Sequence, residues 1–82
     1  MVWFWLREGE ELQLETMYDN DAEQFVVRIL YPNGETRTER FVKLDEFRSR
    51  LVQLETEFER ERWKNSGPPL LIPEGFPNRR LT

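Results

Sequence analysis

The acidic segment 19–23 is the first place in the chain where side chains could do chemistry. Asp19, Asp21 and Glu23 stand at alternating positions, as carboxylates do at the start of a calcium-binding loop. That loop also needs a glycine at its sixth position and a glutamate at its twelfth, and these positions hold Gln24 and Leu30. We therefore predict a solvated hairpin turn here and no metal site.

Catalysis is disfavoured by the residue types that the chain lacks. Its 82 residues include no histidine and no cysteine, so the commonest general base, the commonest zinc ligand and the thiolate nucleophile are missing. The four glycines are scattered and form no phosphate-binding loop. Acids such as Glu59 stand at helical spacing from bases such as Arg62, which is typical of a solvated surface. We predict a protein that is not an enzyme and uses no cofactor.

A mixed aromatic and basic surface is the remaining candidate for binding. Trp3 and Trp5 alternate along the first apolar run, so both point to the same side of a strand. We place them on the sheet face opposite a covering helix, where the candidate partner or nucleic-acid face is Trp3, Trp5, Met17, Val26, Arg28 and Leu30. The interpretation we favour is that the C-terminal tail or a second subunit covers this face. The alternative is a platform on which bases stack while Arg28 and Arg7 hold phosphates.

The run from Phe25 to Tyr31 is the element that must position this face. Six of its seven residues are apolar or aromatic and three are β-branched, which predicts a central strand. Before it, residues 2–6 and 11–18 are predicted strands, separated by a short polar connection that contains Gly9.

The turn at 32–34 is the strongest local signal and leaves two registers open. A two-residue Asn33-Gly34 turn would pair Phe25 with Val42, whereas a three-residue loop that includes Pro32 would pair Phe25 with Phe41. The two differ by one residue, which exchanges the faces of the fourth strand. We favour the three-residue loop, because it gives the proline its preferred corner.

A long helix is predicted from Leu44 to Lys64, with acids in its first turn and bases in its last. Its apolar positions recur every three or four residues. This candidate helix interface is Leu44, Phe47, Leu51, Leu54 and Phe58. About two heptads are too few for a free-standing coiled coil, so we expect the stripe to pack on the sheet or on a symmetry mate.

Length and composition indicate one domain with a thin core. We predict an α+β fold in residues 1–64, a four-stranded antiparallel meander followed by the helix, and a Pro-rich extended arm in residues 65–82. The net charge of −4 disfavours a dedicated phosphate-backbone binder. The first apolar run ends after six residues, too short for a signal peptide or a membrane span. The lack of cysteine fits a reducing cytoplasm, where we expect the protein to be.

Four strands followed by one long helix is similar in layout to the single-stranded-DNA-binding transcriptional coactivator and Whirly proteins. At residue level the resemblance is the last hairpin around Asn33-Gly34, which runs through Phe41 into a helix with Phe47 near its start. It covers residues 2–64. The resemblance implies dimerisation through helices and binding of single-stranded DNA, but this chain lacks that family's Lys-rich strands.

We expect a small, non-catalytic, homodimeric interaction or regulatory domain that engages another protein and no membrane. The homodimer is expected because the core is thin, the strands are apolar on both sides and the helix stripe is heptad-like. The alternative is a single-stranded nucleic acid binding protein of the coactivator-like class.

Overall fold

The computed structural model describes residues 1–68, which form one antiparallel sheet and one helix. The sheet order is β4-β3-β2-β1-β5. The bounds are β1 Val2–Arg7, β2 Glu10–Asp19, β3 Gln24–Leu30, β4 Thr36–Phe41, α1 Leu44–Arg60 and β5 Lys64–Asn65. The α+β fold, with four consecutive antiparallel strands followed by a helix, is confirmed. The short fifth strand was not predicted, and the predicted arm from residue 69 onward lies outside the described residues.

The β3–β4 hairpin has the three-residue loop that the sequence favoured. Gly34 has a φ of 93° and donates its N–H to the carbonyl oxygen of Tyr31 at 3.0 Å. The amide of Tyr31 in turn donates to the carbonyl of Glu35 at 2.8 Å. Phe25 therefore pairs with Phe41, as predicted. Glycine is suited to the bulge position because it lacks the Cβ that makes a positive φ costly.

Helix α1 packs on one face of the sheet, which we call the helix face. Of the predicted stripe, Leu54 and Phe58 are buried, Phe47 and Leu51 are half-buried against the core, and Leu44 is exposed in the first turn. The buried core that these residues join is Trp5, Leu12, Leu14, Val27, Ile29, Leu54, Phe58 and Trp63. Of the two alternatives that the sequence left open, the sheet or a symmetry mate, four of the five stripe residues pack against the chain's own core.

The helix ends at Arg60, four residues before the predicted end. Arg62 adopts a φ of 71°, its N–H donates to the carbonyl of Glu59, and the N–H of Trp63 donates to the carbonyl of Phe58 at 2.9 Å. This pair of bonds is a Schellman cap. Continued as helix, Trp63 would point away from the stripe, five residues after Phe58. Ending the helix lets its indole join the core, where it is 4% exposed.

The tryptophans of β1 lie on the helix face, so the predicted grouping of Trp3 and Trp5 with Met17, Val26, Arg28 and Leu30 is wrong. A two-residue turn at Glu8-Gly9, with φ values of 49° and 82°, pairs Arg7 with Glu10. Trp3 then stands opposite Leu14 and Trp5 opposite Leu12. Residues directly opposed in an antiparallel pair share a face, which places both indoles under α1.

Candidate interaction surfaces

The face of the sheet away from α1, which we call the back face, holds the other four residues of the predicted partner surface. Met17, Val26, Arg28 and Leu30 are joined there by neighbours from β1 and β2. The central residues of the back face on these three strands are Val2, Phe4, Leu6, Gln13, Glu15, Met17, Val26, Arg28 and Leu30, with Glu11, Asp19 and Gln24 at its ends. It is apolar at both sides and charged at its centre.

An ion pair between Glu15 and Arg28 occupies the centre of the back face. The two residues are directly opposed on β2 and β3. Arg28 donates from Nε at 2.7 Å, and its Nη2 lies 2.6 Å from the same oxygen, Oε1 of Glu15. Glu15 is only 1% exposed. A carboxylate this deeply buried needs its cation, because an uncompensated buried charge costs about 3–5 kcal/mol.

The chain's first residue also lies beside this pair. The amino group of Met1 donates to the carbonyl oxygen of Thr16 at 2.9 Å, and the amide of Thr16 donates back to the carbonyl of Met1. Burial lowers the pKa of the Met1 amino group, and the negative charge of Glu15 partly offsets that effect. The sequence places Glu15 in a predicted strand, and the structure shows that it is buried opposite Arg28.

Trp3 and Trp5 do not form an open stacking surface. Trp5 is 2% exposed and meets the ring of Phe58 edge-on, with centroids 5.3 Å apart. Within residues 1–68 the Trp5 indole Nε1 is buried without an acceptor, a deficit worth about 1–3 kcal/mol. Trp3 is half-buried beside a cavity of about 60 Å³ that Leu51 and Glu55 also line. A base could not stack on the Trp5 ring without displacing Phe58 of α1.

Strand β4 forms one edge of the sheet, and most of its side chains are exposed. The amide of Tyr31 donates to the carbonyl of Glu35, so Glu35 is a hydrogen-bonded position of the β3–β4 pair. Such positions recur at every second residue of an antiparallel strand, and the backbone N–H and C=O groups of Arg37 and Glu39 therefore point toward β3. Those of Thr36, Thr38 and Arg40 point outward. Among the described residues, no strand pairs with this outward side.

A salt bridge ties the same strand to the helix. Arg50 donates to both carboxylate oxygens of Glu39, from Nε at 2.7 Å and from Nη2 at 3.0 Å. The hydrogen bond from Arg50 holds the pKa of Glu39 below its usual value, although partial burial opposes the shift. Hydrogen bonding to Glu39 correspondingly raises the pKa of Arg50. This two-point contact fixes the helix over the β4 side of the sheet.

A basic cleft of about 470 Å³ lies at the opposite edge, where β1 meets β5. Its lining residues are Leu6, Arg7, Glu8, Arg62, Lys64, Asn65 and Ser66. Arg7 is the most constrained of its cations, because the guanidinium lies 4.2 Å from the Trp63 ring and donates to the carbonyl of Glu61 at 3.0 Å. The cleft could hold a small anion.

The acidic turn that resembled a calcium loop is held by its own backbone. Asp19 Oδ1 accepts from the amides of Asp21 at 3.0 Å and Ala22 at 3.1 Å, and Oδ2 lies 3.1 Å from Arg40. These contacts, the Ala22 amide first, lower the pKa of Asp19. Across residues 1–68 no three acidic side chains converge as metal ligands.

Comparisons with protein-family models, curated proteins and solved structures found no match to this chain. The resemblance to the single-stranded-DNA-binding coactivators is therefore untested. No helix in residues 1–68 is long and apolar enough to cross a membrane.

Proposed function

We propose that the protein is a small, non-catalytic, homodimeric interaction domain, and that two copies pair through their β4 edges. The observation that carries the proposal is the outward backbone side of β4, which no described strand occupies. An exposed edge of six residues can accept an antiparallel strand, with main-chain hydrogen bonds supplying the affinity. Such a dimer would continue the sheet from one copy into the next.

The charges along β4 favour one register. When Thr38 faces Thr38 of the second copy, the outward amides and carbonyls of the two strands meet. In that register Arg37 stands opposite Glu39 of the second copy, twice by symmetry. Shifting the pairing by two residues either way would set Arg37 against Arg37 or Glu39 against Glu39. Like charges directly opposed destabilise a strand pair, so the self-complementary register is preferred.

Thr38→Pro tests this interface, because proline removes an outward N–H that β3 does not use. Light scattering of the unaltered chain should give about twice the 10.0 kDa chain mass, and Thr38→Pro should give the single mass. Thr38→Val keeps the N–H and should remain dimeric. Arg37→Glu should also dissociate the dimer, while Arg48→Glu, the same charge change on the helix, should not. A single-mass species from the unaltered chain at high micromolar concentration would refute the dimer.

Binding of single-stranded nucleic acid is the second proposal, and the basic cleft is the observation that favours it. Arg7, Arg62 and Lys64 place three cations on one edge of an otherwise acidic chain. The burial of the indoles leaves phosphate contacts as the main source of affinity, which makes binding strongly salt-dependent. Fluorescence anisotropy of a labelled oligonucleotide at low salt measures it. Lys64→Glu should abolish binding that Arg48→Glu retains, and an unchanged anisotropy for the unaltered chain would exclude the proposal.

Residence in a reducing cytoplasm is part of the same proposal, supported by the absence of cysteine.

A further inference from the structure

We propose that residues 69–82 of this same chain lie across the back face and form the second cover of the sheet. The first observation is that back-face side chains are buried although no described element covers them. Val2, Glu15 and Val26 are each 1% exposed, although α1 packs on the other face and no element within residues 1–68 lies over them. A flat sheet face open to water would leave such side chains largely accessible.

The position at which the described chain ends is the second observation. Strand β5 pairs with β1, and the amide of Ser66 donates to the carbonyl of Phe4 at 2.8 Å. Gly67 follows with a φ of 121°, and its amide donates to the side chain of Asn65 at 3.1 Å. A residue in the positive-φ region turns the chain directly after β5. The described chain therefore ends beside β1, close to the back-face residues Val2 and Phe4.

The remaining length is sufficient to cross the sheet. The fourteen residues from 69 to 82 reach up to about 46 Å when extended. The path from β5 to β4 spans four strand spacings, or about 19 Å. The segment can therefore cross the back face with residues to spare.

The chemistry of the segment matches the face. Leu70, Leu71, Ile72 and Phe76 are apolar, as are the residues on either side of the central ion pair. Prolines at 68, 69, 73 and 77 cannot donate to a ladder of hydrogen bonds, which disfavours a further strand at the β5 edge and favours side-chain packing on a face. Leu30 and Met17, which are half-buried, are suitable partners for such packing. The cover would also keep water from the Glu15–Arg28 pair.

A spin label tests the contact in the full chain. The protein has no cysteine, so Glu74→Cys carries a nitroxide at a single polar position of the segment. The label should broaden the methyl resonances of Val2 and Val26 on the back face more strongly than those of Val52, which is exposed on α1. A label at Arg48→Cys, one helical turn before Val52 on the exposed side of α1, is the matched control and should reverse that order. Equal or weaker broadening of Val2 and Val26 by the Glu74→Cys label would overturn the proposal.

A mixed sample separates this chain's own segment from that of a second copy. Spin-labelled, isotopically silent protein is combined with unlabelled, isotopically enriched protein. Broadening that disappears in the mixture supports docking within one chain. Broadening that persists at the back face in the mixture would mean that the segment docks on a second copy, which overturns the proposal as stated. The β4 dimer does not enter this result, because the same measurement can be made on monomeric Thr38→Pro.

Discussion

Replacing Arg62 by glycine should stabilise the protein, although it removes a residue at the end of the only described helix. Arg62 is the left-handed residue of the Schellman cap, with a φ of 71°, and its side chain is exposed. Glycine is the usual residue at this position, because a Cβ crowds the following carbonyl in the left-handed region. The cap delivers Trp63 to the core, so its backbone geometry is maintained in the folded chain despite this cost.

The size of the effect follows from two opposing contributions. The left-handed conformation costs about 1–2 kcal/mol for a residue with a Cβ. Glycine recovers that amount but adds about 0.5–1 kcal/mol of conformational freedom to the unfolded chain. We expect Arg62→Gly to raise the free energy of unfolding by about 0.5–1 kcal/mol. For a domain of this size that corresponds to a midpoint shift of about 2–8 °C.

Thermal and urea unfolding, followed by tryptophan fluorescence, measure the change. Arg48→Gly is the matched control, since it removes the same exposed side chain and charge from within α1, where glycine should destabilise by about 0.5–1 kcal/mol. Opposite signs for the two variants support the cap. If Arg62→Gly lowers the midpoint as Arg48→Gly does, the left-handed cap is not the conformation that the folded chain adopts.

Three further changes test the core and its charges. Arg28→Leu should lower the free energy of unfolding by about 3–5 kcal/mol, because it leaves Glu15 buried without its cation. Arg48→Leu, at an exposed position, is the control and should change that free energy by under about 0.5 kcal/mol, both measured by urea titration. Trp63→Ala should cost about 3–5 kcal/mol by the same assay, and a loss below about 1 kcal/mol would contradict its burial. Folding lowers the pKa of Glu39, so the ionised carboxylate stabilises the folded protein at pH values above its usual pKa of 4.5. That stabilisation is lost as the pH falls through the pKa that Glu39 has in the folded protein. Glu39→Gln should therefore flatten the decline of the unfolding midpoint below that pH, and an unchanged slope would contradict the salt bridge.

Local signals predicted the parts of the fold that local chemistry determines. The hairpin at Pro32-Asn33-Gly34 formed as favoured, because proline and glycine each have one suitable corner in a three-residue loop. The helix stripe from Phe47 to Phe58 also predicted its own buried side, since spacings of three and four select one face.

Local sequence signals did not predict that the helix ends at Arg60. Its sequence runs through Arg60 and Arg62 with good helical propensity, and residues 44–66 contain no glycine or proline. Trp63 determines where the helix ends, because the free energy gained by burying its large indole outweighs the strain of the left-handed conformation at Arg62. An aromatic residue off the stripe, just before the predicted helix end, was the one available indication.

The turn at Glu8-Gly9 decides what the aromatic residues of β1 can do. A two-residue turn pairs Trp5 with Leu12 and places the indole under α1, whereas one more residue in that turn would place it on the back face, the face that holds Val26 and Arg28. Composition and periodicity are the same in both cases. The stacking platform therefore depended on a single unit of register. With that register known, the back face presents apolar residues around one buried ion pair, and we propose that an apolar segment covers them. Its physical requirement is a cover that excludes water from Glu15, which a strip of leucine, isoleucine and phenylalanine meets better than a nucleic acid base.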